Sequence, residues 1–134
     1  MSNLSWKYVK MLKNAKSVED FENSSGLMLP EDMKAFLKIN NGGRPSKNNF
    51  DTERSKGRVM KSLLSFNETD VETIYDAMNA LKKEKAYLVP FASDPAGNYI
   101  CYNTRNQEIV LWLHETDTLE RIAESFTEFT ALLY

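Results

Sequence analysis

A proline and a glycine pair bracket one short stretch of this chain so tightly that a helix is almost the only option. Pro30 suits a first helical position, where its missing N–H costs nothing, and Glu31 and Asp32 favour the positive end of a helix. Met33, Phe36 and Leu37 supply an inward stripe. Asn41-Gly42-Gly43 then ends the element, with a left-handed residue expected there, and Pro45 forbids continuation. A second dense run follows later, Val89-Pro90-Phe91-Ala92-Ser93-Asp94-Pro95-Ala96-Gly97-Asn98-Tyr99-Ile100-Cys101-Tyr102. Neither run holds a nucleophile beside a base, a metal-ligand cluster or a phosphate loop. Both are rich in residues that fix backbone geometry, so they specify a scaffold, and function is to be sought on a surface.

The chain has 134 residues, 42% hydrophobic and 27% charged, which suits one soluble globular domain spanning residues 1–134. A net charge of -2 argues against general nucleic-acid binding, which usually leaves a basic domain. No apolar run approaches the ~18 residues of a membrane span. Polar residues interrupt Leu4, Trp6, Tyr8 and Val9, so no signal-peptide core is expected. Cys101 is the only cysteine, and a reducing, cytoplasmic setting fits. It lies between Ile100 and Tyr102 in a strand-like run and reads as a small buried hydrophobe. His114, also single, reads as a structural or surface residue.

Leu4, Tyr8, Met11 and Leu12 fall at helical spacing and predict an N-terminal helix. Ser17 to Asp20 resembles a capping box opening a second short helix through Phe21, broken by Ser24, Ser25 and Gly26. From Arg44 to Lys61 the chain is polar and rather basic, with Phe50 as an anchor. An irregular or hairpin-like excursion is expected, with Gly57 near its turn, leading into a strand over Val59 to Phe66. It reads as a solvated loop or as a partner-contacting one. Thr69 or Asp70 can cap a middle helix bearing Ile74, Met78 and Leu81; Lys82 to Lys85 reads as its solvated end.

Three strands follow at Tyr87 to Ala92, Tyr99 to Asn103 and Ile109 to His114, in an antiparallel meander. Pro90 belongs at an edge, a bulge or an end of its strand. Finally, Asp117 or Thr118 is expected to cap a C-terminal helix on which Leu119, Ile122, Phe126, Phe129 and Leu133 form an apolar face. The fold class is therefore α+β: a single domain with a central, mostly antiparallel sheet flanked by N-terminal, middle and C-terminal helices.

Chemistry is sparse. Asp51 with Glu53, and Asp117 with Glu120, are carboxylate pairs without a substrate motif around them. One Cys and one His cannot build a zinc site, and Ser93 beside Asp94 lacks the elbow of an esterase nucleophile. No catalytic residue, metal or cofactor is assigned. Two surfaces remain as partner-binding candidates. Asp94, Gly97 and Asn98 form either a turn that wires two strands together or a recognition tip exposing Asp94 and Asn98. Glu120, Glu124 and Glu128 recur every fourth residue, lining one face of the expected C-terminal helix. That face is either merely solvated or complementary to an electropositive partner.

On these residues the chain resembles the SUKH superfamily, in the branch of the fungal cell-wall assembly regulators and their bacterial relatives (the SMI/KNR type). The resemblance is carried by Leu29-Pro30, Phe36-Leu37, Asn41-Gly42-Gly43, Pro90-Phe91-Ala92, Asp94, Gly97-Asn98 and Cys101-Tyr102. The strand Ile109 to Trp112 and the closing Ile122-Ala123, Ser125-Phe126 and Phe129 also fit. The resemblance implies an antiparallel sheet flanked by helices and no general catalytic residues. It also implies an immunity protein that binds a cognate polymorphic toxin, often a nuclease and commonly the product of a neighbouring gene. An intracellular scaffold or regulatory interaction module is the alternative, as in fungal relatives. A small hydrolase using Asp94 or His114 is a weaker third reading.

Overall fold

The computed structural model describes residues 4–134. In chain order its elements are β1 (Trp6–Lys7), α1 (Ser17–Ser25), α2 (Glu31–Ile39), β2 (Arg44–Pro45), β3 (Asn49–Phe50), β4 (Arg58–Val59) and β5 (Ser62–Leu63). Then come α3 (Ile74–Ala80), a 3-10 turn (Lys83–Lys85), β6 (Leu88–Ser93), β7 (Tyr99–Asn103), β8 (Ile109–Leu113), β9 (Thr118–Ala123) and α4 (Phe126–Leu132). The strands β5 to β9 form a five-stranded sheet in sequence order, every pair antiparallel. Short connections make that order the natural one, because antiparallel neighbours need only a turn.

Both faces of the sheet are covered, and the strands alternate accordingly. Ile100, Tyr102, Ile109 and Leu111 face the larger core with Val18 and Phe21 of α1, Met33 and Leu37 of α2, and Phe126 and Phe129 of α4. Leu88, Cys101, Val110 and Trp112 face a smaller cluster closed by Leu81 and flanked by Met78, Tyr87, Tyr99 and Leu119. Helix α3 serves both, with Ile74 and Ala77 in the first and Met78 at the edge of each. Edge-to-face aromatic pairs run through the larger core, among them Trp6–Phe36, Phe36–Phe126 and Phe91–Phe126. Such pairs add to the gain from area burial.

The bracketed helix forms as expected. Pro30 is the extended residue immediately before α2, one position from the expected start, and Gly42 is left-handed at φ 70°. Gly43 is required for a different reason: a Cβ there would lie 2.9 Å from the Asn40 carbonyl oxygen. Beneath α2, the buried Lys34 ammonium meets Glu22 at 2.8 Å and Glu19 at 3.2 Å. Glu22 also accepts the Leu29 N–H at 2.9 Å, so the buried carboxylate is both paired and hydrogen-bonded, as burial of charge demands. Pro90 lies within an interior strand, and there the β6–β7 register shifts between Pro90 and Ala92. The bulge relieves the missing donor.

Four local expectations are corrected. Residues 4–16 form no helix; Trp6–Lys7 pairs with Arg44–Pro45, and Tyr8 adopts a left-handed φ of 58°. Tyr8 and Met11 are exposed, so the helical spacing there marks no apolar face. Ser17 does not cap α1 but lies in its first turn, donating its hydroxyl to the Asn14 carbonyl at 2.6 Å. Thr73, not Thr69 or Asp70, caps α3, accepting the Asp76 N–H at 3.1 Å. Asp70 instead accepts from the Ser65 hydroxyl and from Asn67 Nδ2.

The largest correction is at the C-terminus. Thr118–Ala123 is the edge strand β9, not the start of a helix. Asp117, left-handed at φ 53°, turns the chain and accepts the Trp112 indole N–H at 2.7 Å, directing Thr118 back along β8. The pairing skips Ile122, since Ile109 faces Ala123 while Val110 faces Arg121. That bulge, on a sheet covered on both faces, places apolar residues at spacings of three and imitates a helix. The true helix α4 starts after Ser125, whose side chain accepts the Glu128 N–H at 3.1 Å.

Candidate functional site

The Asp94–Asn98 turn is wired to itself. Asp94 Oδ1 accepts the N–H groups of Ala96 (2.9 Å) and Asn98 (2.8 Å), and its Oδ2 accepts from Asn98 Nδ2 (2.9 Å). Asn98 Oδ1 in turn accepts the His114 N–H at 3.1 Å, tying the turn to the end of β8. Both side chains belong to residues only 7% exposed. Of the two readings offered by the sequence, the wiring turn is the geometry present; the set does not form an exposed polar tip. The imidazole of His114 lies over the same turn, with Nε2 3.0 Å from the Ala96 carbonyl oxygen. Cys101 is wholly buried and burial pushes its thiol upward, which suits a packing role and opposes thiolate chemistry.

Glu120, Glu124 and Glu128 do not share a helix face, because β9 and α4 divide them. Glu120 is buried against the excursion between β3 and β4. Its Oε1 accepts from the hydroxyls of Thr52 (2.6 Å) and Ser55 (3.0 Å), with Arg58 Nε at 3.9 Å. These contacts, the Thr52 hydroxyl first, hold the Glu120 carboxyl below the usual range. Glu124 is exposed and meets Arg121 Nη2 at 3.3 Å. Glu128 accepts the Glu124 N–H at 3.0 Å and so completes the cap of α4. Arg121, also bonded to Glu108 at 2.8 Å, is the counter-charge of this corner.

The basic excursion is neither loose nor a separate lobe. β3 and β4 form a hairpin with Phe50 and Met60 buried beneath it. Its tip lies along the free edge of β9, where the Glu53 N–H donates to the Arg121 carbonyl at 2.8 Å. At the other edge of the sheet the Leu63 N–H donates to the Gly43 carbonyl at 2.9 Å. Both edges are thus shielded from pairing with other chains. The last residue joins in: Tyr134 exchanges two backbone hydrogen bonds with Asn49 and donates its hydroxyl to Asp51 at 2.7 Å.

This wiring has a pH signature. Asp51, held low chiefly by the Tyr134 hydroxyl and then by the Gly57 N–H, behaves as Glu120 does. For carboxyls lowered on folding, the stabilisation is complete above their unfolded values and is lost as pH falls through the folded ones. Tyr134 is raised by its bond to Asp51, so its contribution is complete below its unfolded value and is lost as pH rises through the folded one. Thr52→Ala, which removes the leading donor to Glu120, is expected to cost about 1–2 kcal/mol at neutral pH. The difference from wild type should shrink towards pH 3; urea unfolding across pH 3–7 measures both.

One cleft went unnoticed in the sequence. A cavity of about 140 Å³ opens between Leu64, Val71, Glu72, Thr73 and Asp76 on one side and Ser93, Asp94, Gly97 and Tyr99 on the other. It joins the start of α3 to the β6–β7 turn, segments far apart in the chain, so no local motif announces it.

A helix-flanked antiparallel meander whose most distinctive residues serve its own caps and turns defines a small α+β scaffold. The model of the SMI1 / KNR4 family (SUKH-1) matches residues 14–131, and the chain belongs to that family. The family is known for immunity proteins and is generally non-catalytic. No curated protein sequence matches this one. Among the described residues no helix is long and apolar enough to cross a membrane.

Proposed function

We propose that the protein is a cytoplasmic immunity protein that binds a cognate toxin and blocks its substrate site without chemistry of its own. The observation that carries this reading is the family match over residues 14–131. The rigid scaffold supports it, since an inhibitor pre-organised for its partner avoids the ordering cost of binding. Of the five candidate contact residues, Glu124 supplies solvent-facing charge directly and Glu128, half-buried, supplies it at the rim. Asp94, Asn98 and Glu120 hold the neighbouring surface in shape. A nuclease toxin has an electropositive substrate site, and acidic groups at the rim steer its encounter.

Co-expression with the product of the neighbouring gene tests the reading. Growth is expected to be lost when the neighbour is expressed alone and restored when this protein is present. A non-toxic neighbour, or toxicity that this protein leaves unchanged, contradicts it. Glu124→Lys combined with Glu128→Gln, which keeps the cap acceptor, should slow association about tenfold at low salt. An unchanged rate removes these two residues from the interface while leaving immunity standing.

A further inference from the structure

The cleft between α3 and the β6–β7 turn carries an unbalanced chemistry. Three carboxylates line it, Glu72, Asp76 and Asp94, with no cation on the lining itself. Lys61 reaches Glu72 from outside and forms an ion pair at 2.5 Å, and the Ser62 hydroxyl lies 3.3 Å from the same side chain. Asp94 is occupied by its three turn donors. The carboxylate of Asp76, on an exposed residue at the start of α3, has no hydrogen-bond or ion-pair partner among the described residues.

A second observation is independent of charge. Ser93 is 6% exposed and lines the cleft, and its hydroxyl is the one buried side-chain polar atom among the described residues without a hydrogen-bond partner. A buried hydroxyl in that state carries a desolvation cost that folding does not recover. A bound group supplying an N–H would satisfy it. Tyr99 completes the wall; burial, then the charges of Glu72 and Asp76, raise its phenol, so the ring sits in a negative field. Among the described residues no three His, Cys, Asp or Glu side chains converge to hold a metal ion.

We infer that this cleft receives the side chain of an arginine presented by the protein partner. A guanidinium offers five N–H donors in a plane and accepts nothing, the complement of a pocket lined by carboxylate and hydroxyl oxygens. The volume, worth roughly four or five waters at liquid density, admits a guanidinium but is well below the ~300 Å³ of a small-molecule site. Leu64 lies on the wall, and Val71, 89% exposed, stands at the mouth. Together they offer apolar surface to the methylene stem of the incoming residue. The inference rests on the binding reading above and names the residue type recognised.

The test uses the intact chain and needs no toxin, so its failure is separable from failure of the immunity reading. Amide chemical shifts are followed while N-acetyl-arginine-N-methylamide is added, with the uncharged citrulline analogue as control. Saturable shifts at Asp76, Ser93 and Tyr99 are expected with arginine only, with a Kd on the order of millimolar. Asp76→Asn should weaken binding about tenfold, while Glu31→Gln, on an exposed residue of α2, should leave it unchanged. Ser93→Ala should weaken binding several-fold and leave Tm unchanged or raised. Absence of saturable shifts, equal response to citrulline, or indifference to Asp76→Asn overturns the inference. So does a fall of several degrees in Tm for Ser93→Ala, which would reveal a structural bond at that hydroxyl.

Discussion

Asp94→Ala is expected to lower the unfolding free energy by about 3–4 kcal/mol, a large part of the 5–15 kcal/mol typical of a domain. The substitution strands the N–H and the side-chain amide of the buried Asn98, and it removes the acceptor of the Ala96 N–H at the exposed tip of the turn. The loss then propagates, because Asn98 loses the bond that orients its carbonyl oxygen towards the His114 N–H. Asp94→Asn should fall between, at about 2 kcal/mol: the amide oxygen can still accept the two backbone donors, but its NH₂ meets the NH₂ of Asn98. Urea unfolding of the three proteins measures the series. Equal stability of wild type and Asp94→Ala would mean that the carboxylate is kept for an external contact rather than for the turn.

Asn41→Ala is expected to cost about 2–3 kcal/mol by the same logic at the other end of the scaffold. Asn41 is 1% exposed. Its Nδ2 donates to the Lys10 carbonyl (2.8 Å) and towards the Ser65 hydroxyl (3.0 Å), and its Oδ1 accepts the Phe66 N–H (2.8 Å). One side chain thereby joins the N-terminal segment, the end of α2 and the approach to α3. Hydrogen exchange locates the effect: the Phe66 amide should lose protection well before the central amides of β7. Uniform loss across the sheet would show Asn41 acting through the core instead.

Asp94, unlike Asn41, shows why part of the molecule was legible in the sequence. Pro30, Gly42, Pro90 and Asp94 each act within a few residues of themselves, by fixing φ, removing a donor or accepting nearby N–H groups, so their signatures survive reading in one dimension. The meander was legible for the same reason, since each strand turns directly into the next. β9 was not, because its apolar spacing reflects a bulge at Ile122 and burial on both faces, which only pairing with β8 reveals. A local signal did exist: Ser125 and Glu128 stand three apart before an apolar run, the pattern of a capping box, and mark where α4 begins. The spacing of Glu120 puts it in a surface row, whereas its partners Thr52 and Ser55 come from more than sixty positions away. The cleft at Ser93 and Asp76 was hidden likewise, being assembled from the start of α3 and the β6–β7 turn.

The residues that identify the family are largely distinct from the exposed carboxylates. Most of the residues that carried the resemblance serve the fold itself: Asn41 and Asp94 in hydrogen-bond networks, Phe91 and Tyr102 in the core, Gly43 against Asn40. Exposed carboxylates lie elsewhere, among them Asp76 on the wall of the cleft and Glu124 beside α4. Charge that the fold itself does not use is what a protein matched to one partner is expected to carry, because discrimination is a difference between affinities.

The most direct measurement is a titration of the neighbouring gene's purified toxin activity with this protein at a toxin concentration far above Kd. Neutralisation by binding predicts activity that falls linearly to an end point at one equivalent, with inhibition that does not deepen with time and that reverses when the complex is denatured and the toxin refolded. Inactivation of many equivalents of toxin by one of this protein, or undiminished activity past equivalence, would contradict the account.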